Sequence, residues 1–329
     1  MDNLTHSLVG LTAAKAGLER LSPGATILCV LAANSPDSDI VVLLFGDRWD
    51  FLQHHRGITH SIVGTAFLAV LLPLIFYGVD RLWARLRHRP PKTNLRGLMI
   101  ASVIVSATHP LLDWTNNYGI RFLLPWNPRW FYGDLVFIVD PFMWLVFIVG
   151  LLFIWRARSG WRSKIAFASF AIVVVYWGTL AFAHSRAFAR GSEEANRIAT
   201  PSGETISRLV AMPTLANPLR WDCVFETDKA TYRFAVALSG ATPAGRLIRY
   251  PKPSGPLDVA LREVSDEKPA RVFLGFARFP VARLADPSCT TQTLVQLADL
   301  RYTEPGMSRG TFALELPVDC PDQALTGGR

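Results

Sequence analysis

His54-His55-Arg56-Gly57-Ile58-Thr59-His60-Ser61 runs without a break into the apolar stretch of residues 62–79. A dense polar cluster delivered to the mouth of a hydrophobic helix predicts a titratable site at the edge of a membrane bundle. Three further segments have the same construction. Asp2-Asn-Leu-Thr-His6 opens a helix-like segment over 5–18. Asn34-Ser-Pro-Asp37-Ser-Asp39 separates apolar residues 25–33 from 40–45. His109-Pro-Leu-Leu-Asp113 ends the apolar run 97–114. Asp140 lies inside another such run, 135–155. Carboxylates and histidines at membrane depth are costly and mark functional sites. Together they suit a borderline divalent ion, Zn²⁺ first and Mn²⁺ second.

A spanning helix needs about 20 mostly apolar residues, with about 17 as the lower end. Residues 62–79, 97–114, 135–155 and 165–184 meet that length. The expected fold is therefore mainly α: a polytopic membrane helical bundle over residues 1–184, followed by a small β or α+β soluble domain over 185–329. In that second part, 221–226, 232–238, 272–279 and 311–316 read as short strands separated by Pro and Gly. At the start, Ser22-Pro23-Gly24 breaks the chain into a helical hairpin short of full width. The alternative, one continuous span over 25–45, would bury Asp37 and Asp39 at mid-bilayer.

The net charge of +8 is concentrated in short loops. Residues 81–96 carry Arg81, Arg85, Arg87, Arg89, Lys92 and Arg96, and residues 156–164 carry Arg156, Arg158, Arg162 and Lys164. Basic loops beside spans are the positive-inside signature, so the partner is the lipid bilayer and no nucleic acid is expected. Placing both loops in the cytoplasm puts His54–His60, His109–Asp113, Asp134 and Asp140 at the outer face, and makes the C-terminal domain extracytoplasmic. No cleavable signal peptide is apparent. Cys223, Cys289 and Cys320 permit one disulfide, with the pairing open.

The pairs Asp2/His6 and His109/Asp113 are four apart, so on a helix each shares a face and can hold one ion. Asp37 reads as a ligand and Asp39 as a supporting carboxylate or base, although Asp and Asn also suit caps and turns. His60 opens a helix as a ligand. His55 and Arg56 read as an anion clamp, because a planar guanidinium holds two phosphate oxygens at once. Asp140 completes the candidate metal set. His88 and His184 read as ordinary.

These segments resemble the LexA-regulated, membrane-bound metal-dependent hydrolase family, the YdjM-like group, over roughly residues 1–155. The order of ligands is also similar to zinc-dependent phospholipase C and P1-type nucleases. That likeness implies His6, Asp37, His60, His109 and Asp113 as ligands, with the later histidine elements of the pattern missing here. The resulting expectation is an inner-membrane hydrolase, a phosphoesterase acting on a lipid or lipid-linked phosphate. A metal-binding scaffold or sensor without turnover is the alternative. An ion conduit ranks third, since no inverted repeat is visible.

Overall fold

The computed structural model describes residues 1–240, 245–307 and 312–320. The chain is 54% helical. Two compact units divide it: Met1–Val41, His55–His184 and Met212–Pro218 form one, and Val42–His54, Ser185–Ala211 and Leu219–Arg329 the other.

The first unit begins with α1 (Asn3–Ala16), started by the Asp2 carboxylate, which accepts from the Thr5 N–H at 3.0 Å, and stopped by Gly17 at φ 143°. The chain returns through α2 (Ala25–Asn34). Ala13, Ala14, Cys29, Ala32 and Ala33 are buried between the two. Small side chains let the backbones approach, as in membrane helix pairs. At Gly10 the approach is so close that a Cβ would come within 2.7 Å of the Cys29 carbonyl oxygen.

The expected hairpin is present, but the interruption at 34–39 is not a turn. A 3₁₀ helix continues over Ser35–Leu44, and Ala25–Leu44 is apolar enough to cross a membrane. Pro36 supplies no N–H, which ends i→i−4 bonding while leaving a tighter helical path open.

After α3 (Arg48–His54) and a short 3₁₀ turn (Ile58–His60), α4 (Ile62–Leu86) starts at Ser61, whose hydroxyl accepts from the Gly64 N–H at 3.1 Å. Its 25 residues give about 37 Å, enough for the roughly 30 Å hydrocarbon core. The helix runs past the expected end at 79 and takes Arg81 and Arg85 with it. Next come α5 (Leu95–Ser106) and α6 (Thr108–Trp114), broken at Ala107. Pro110 cannot donate to the Ser106 carbonyl, which accounts for the break.

The apolar run 135–155 is a shorter helix than its composition predicts. α7 occupies Pro141–Arg156 only, capped by Asp140, whose side chain accepts from Phe142 and Met143 N–H. An Asp-Pro pair is a strong helix start, because the residue before proline avoids the α region. Leu135 and Val136 instead bond the Thr115 carbonyl at 2.8 and 3.1 Å, and Val136 is buried. Their apolarity serves packing against protein. α8 (Ser159–Ala199) is 41 residues long, well beyond the expected 165–184. Among the described residues four helical stretches can cross a membrane by length and composition: Ala25–Leu44, Ile62–Leu86, Leu95–Trp114 and Ser159–Ser202.

The C-terminal part is sheet-containing. β1 (Ile206–Thr214), β2 (Asn217–Thr227), β3 (Ala230–Ala237) and β4 (Ile248–Pro251) form one sheet in that order. After α9 (Pro256–Val264) and α10 (Lys268–Phe276), β5 (Pro280–Leu284), β6 (Gln292–Asp299) and β7 (Ala313–Asp319) form a second, antiparallel sheet. Residues 272–279, expected as a strand, lie mostly in α10. Pro269 starts that helix, and Ala270, Phe273 and Phe276 recur at the spacing of one helix face and are buried. Of the expected strand 311–316, Thr311 lies outside the described residues and the remainder lies in β7.

Cys289 and Cys320 form a disulfide across 31 residues, while Cys29 and Cys223 are free and buried. Burial pushes the Cys223 thiol up to about 12. Alkylation of denatured, unreduced protein should therefore block two cysteines and, after reduction, all four, as read from the intact mass. Four blocked before reduction would remove the disulfide.

Candidate metal site

Four separate elements meet in the first unit. The i,i+4 spacing on α6 brings His109 Nε2 to 3.2 Å from Asp113 Oδ2. The Ile58–His60 turn brings His60 Nε2 to 3.1 Å from Asp37 Oδ1 and 3.4 Å from Asp113 Oδ2. His109 Nε2 is 3.6 Å from the same Asp37 oxygen. From α1, the His6 ring stacks on His109 with centroids 3.8 Å apart, its Nε2 3.5 Å from Asp113 Oδ1. His6, His60, His109 and Asp113 are all buried.

Tautomers follow from the other ring nitrogens. His109 Nδ1 lies 2.6 Å from the Ala33 carbonyl oxygen, so it carries the proton and Nε2 carries the lone pair. His60 Nδ1 faces Thr59 Oγ1 at 3.1 Å and Asp39 Oδ2 at 3.4 Å, which likewise leaves Nε2 as the acceptor. Burial holds the His60 imidazole well below the usual histidine range, with Asp39 opposing, so it is neutral. Four electron-pair donors, His60 Nε2, His109 Nε2, Asp37 Oδ1 and Asp113 Oδ2, thus face one another at 3.1–3.6 Å.

His109 Nε2, Asp113 Oδ2, Asp37 Oδ2 and both nitrogens of His6 have no hydrogen-bond partner among the described residues. Buried polar groups without partners cost about 1–3 kcal/mol each. A cation among them satisfies all of these atoms at once, so the residues present fit a divalent ion. Asp37, His60, His109 and Asp113 form the metal-capable group, and Asp37, Asp39 and His55 form a second one that shares Asp37.

The remaining predicted residues fall in different places. His55 Nδ1 is 3.2 Å from both Asp39 oxygens. Arg56 is buried, with its guanidinium directed at protein: Nη2 donates to Asp113 Oδ1 at 2.9 Å, and Nη1 donates to Asn116 Oδ1 at 3.0 Å and the Gly119 carbonyl at 3.1 Å. It also stacks over Tyr118 at 4.5 Å. Its backbone has φ 52°, a conformation costing about 1 kcal/mol or more for a residue with a side chain, and its N–H donates to Asp39 Oδ2. The Met1 amino group also donates to Asp113 Oδ1.

Asp2 and Asp140 are not drawn into the cluster. The Asp2 carboxylate is taken by Thr5 and the Asp140 carboxylate by Phe142, Met143 and the Tyr176 hydroxyl. Sequence reasoning did not single out Asn116, Gly119 or the Ala33 carbonyl. For Asn116 the signal was its place directly after the His109–Asp113 pair. A backbone carbonyl leaves no signal in a side-chain pattern.

The sequence profile of the YdjM inner membrane protein family matches residues 1–187, which include every residue of this cluster. The chain belongs to that family. Over 185 residues it is 28% identical to "Uncharacterized protein YfhP" of Bacillus subtilis (strain 168), covering 53% of this chain and 52% of that protein. Over 143 residues it is 28% identical to "Inner membrane protein YbcI" of Escherichia coli (strain K12), covering 42% of this chain and 76% of that one. The match thus spans about half the length of the Bacillus protein. No solved structure is a significant match. The YdjM-family chain is a multi-pass membrane protein carrying a candidate metal site.

Changing His60, His109 or Asp113 to Ala should strip bound metal from protein purified without chelator, measured by elemental analysis. Asp2→Ala and Asp140→Ala should retain it and lose about 1 kcal/mol of stability each through their caps. Metal loss equal to that of His109→Ala in either cap variant would redraw the ligand set.

Proposed function

We propose that the protein is a membrane-bound metal-dependent hydrolase, a phosphoesterase acting on a lipid or lipid-linked phosphate. The observation that carries this reading is the set of four electron-pair donors held face to face in a buried pocket of an inner membrane protein. A bound divalent ion, Zn²⁺ being the best match to two histidines and two carboxylates, would lower the pKa of a water and polarise a phosphoryl oxygen.

The chain's own residues supply the rest. The Ala33 carbonyl and Asp39 fix the His109 and His60 rings with Nε2 inward. Asp39, within reach of His55 and at the edge of the second group, is placed to take a proton from an attacking water. Arg56 holds Asp113 by one oxygen and leaves Oδ2 for the ion, which makes it a positioning residue before it is an anion clamp. His55 keeps the role of meeting an anionic substrate, because it is less deeply buried than the ligands.

We also infer that the C-terminal domain is extracytoplasmic. Two independent features support this: the basic residues between Arg81 and Arg96, and the Cys289–Cys320 disulfide, which persists in oxidising compartments.

Purified protein should release phosphate, or a phosphate-bearing head group, from lipid phosphates only when metal is present. Arg56→Lys should lose both metal and turnover, because an ammonium cannot reach Asp113, Asn116 and Gly119 together. Stoichiometric metal with no turnover across a lipid-phosphate panel would favour the scaffold reading. For orientation, a cysteine introduced at residue 90 should resist a membrane-impermeant maleimide in intact cells. Labelling at 90 from outside would invert the topology.

A further inference from the structure

Between α4 and the broken pair α5–α6 lies a cleft of about 340 Å³, lined almost entirely by apolar atoms. Its walls are one face of each helix. Thr65, Ala66 and Ala69 line it at i, i+1 and i+4 on α4, and Ser106, Ala107 and Pro110 face them. Both helices belong to stretches long and apolar enough to cross a membrane. The cleft therefore lies at hydrocarbon depth, where the surrounding solvent is acyl chain.

Its position relative to the metal site is set by the sequence. On α4 the lining begins at Ile62, two residues after His60. On α6 it ends at Pro110, the residue after His109. The lining on α4 extends from Ile62 to Val70, about 12 Å along the axis, against roughly 15 Å for half of the hydrocarbon core. One wall carries a polar atom with no protein partner. Ser106 is fully buried, and its hydroxyl has no hydrogen-bond partner among the described residues. Ser106 is one helical turn before His109, the level at which the ester oxygen of a lipid would meet it.

We propose that this cleft holds one acyl chain of a phosphate-bearing lipid, with the Ser106 hydroxyl donating to its ester oxygen and the phosphate directed to the His60 and His109 end. The proposal rests on the phosphoesterase reading of the metal site and names its substrate as a lipid with at least one ester-linked chain. The cleft gives little affinity for the chain, which is already in hydrocarbon. Its effect is to fix where the head group stands.

The test uses the full chain in phosphatidylcholine vesicles containing a trace of phosphatidic acid that carries a diazirine within one acyl chain. After irradiation, labelled peptides are mapped by mass spectrometry. The expected result is labelling concentrated on residues 62–70 and 103–110 and low on α8, with less at the cleft when the same chain is carried by phosphatidylcholine.

Ala66→Phe together with Ala107→Phe should bring cleft labelling down to the α8 level without changing metal content. Val175→Phe, on an exposed face of α8, should leave it unchanged. Ala66→Leu, a smaller addition at an exposed position, should give a partial loss, which covers the case in which the double variant misfolds. Even labelling of cleft and α8, cleft labelling that survives in Ala66→Phe/Ala107→Phe, or equal labelling by the two lipids would overturn the proposal. Hydrolysis with even labelling defeats the cleft alone. Cleft labelling without hydrolysis of any lipid phosphate defeats the enzymatic reading and leaves an acyl-binding cleft.

Discussion

The burial of the Asp113 carboxylate constrains everything around it. A carboxylate taken out of water must be met on both oxygens or its desolvation is uncompensated. Oδ1 is met by Arg56 and the Met1 amino group, and Oδ2 faces His60 and His109. Arg56 would itself be an unpaired buried charge, and is held by Asn116 and the Gly119 carbonyl. The two histidines are neutral acceptors on the side that faces Oδ2, so they do not balance its charge. A divalent ion would do so, and the elements bearing Asp37, His60, His109 and Asp113 are arranged as though around one.

How much of this was legible in the sequence differs by level. The ligand clusters and the membrane character were plain, because titratable residues abutting long apolar runs are too costly to keep without a role. The i,i+4 pair His109/Asp113 could be read directly from helical periodicity. Asp2/His6 has the same spacing, yet Asp2 lies at an N-cap and turns to Thr5. Spacing alone cannot distinguish a helix interior from its first residue. The run 135–155 misled for a different reason. Hydropathy counts apolar residues without asking whether lipid or protein covers them, and Val136 is covered by protein. Residues 272–279 were expected as a strand because a short apolar run has no clear period, and Pro269 outside the window decided for helix.

Arg56 shows a limit of another kind. Its side-chain chemistry suits an anion, and its place beside His55 made a substrate contact the natural expectation. The donors are spent on Asp113, Asn116 and Gly119, none of which is near it in sequence. Its left-handed backbone points the same way: a conformation costing about 1 kcal/mol or more persists only where the surroundings hold it. Here the N–H reaches Asp39 while the guanidinium reaches Asp113, so one residue ties two carboxylates of the site together.

The candidate ligands also share a feature of the backbone. Asp37 lies just past the change from α2 to 3₁₀ helix, His60 ends the turn before α4, and His109 lies directly after the break between α5 and α6. Helix ends leave carbonyls without partners, and in an apolar surrounding each must be satisfied within the protein. Pro36 has no N–H to give the Ala33 carbonyl in the 3₁₀ pattern, and His109 Nδ1 takes that place. The same contact fixes the tautomer that presents Nε2 to the site. One proline thus frees a carbonyl, and that carbonyl orients a histidine 76 residues away. Breaks in the helices are how this fold turns backbone hydrogen bonding into side-chain placement, and a continuous helix through residue 36 would have removed the group that aims His109.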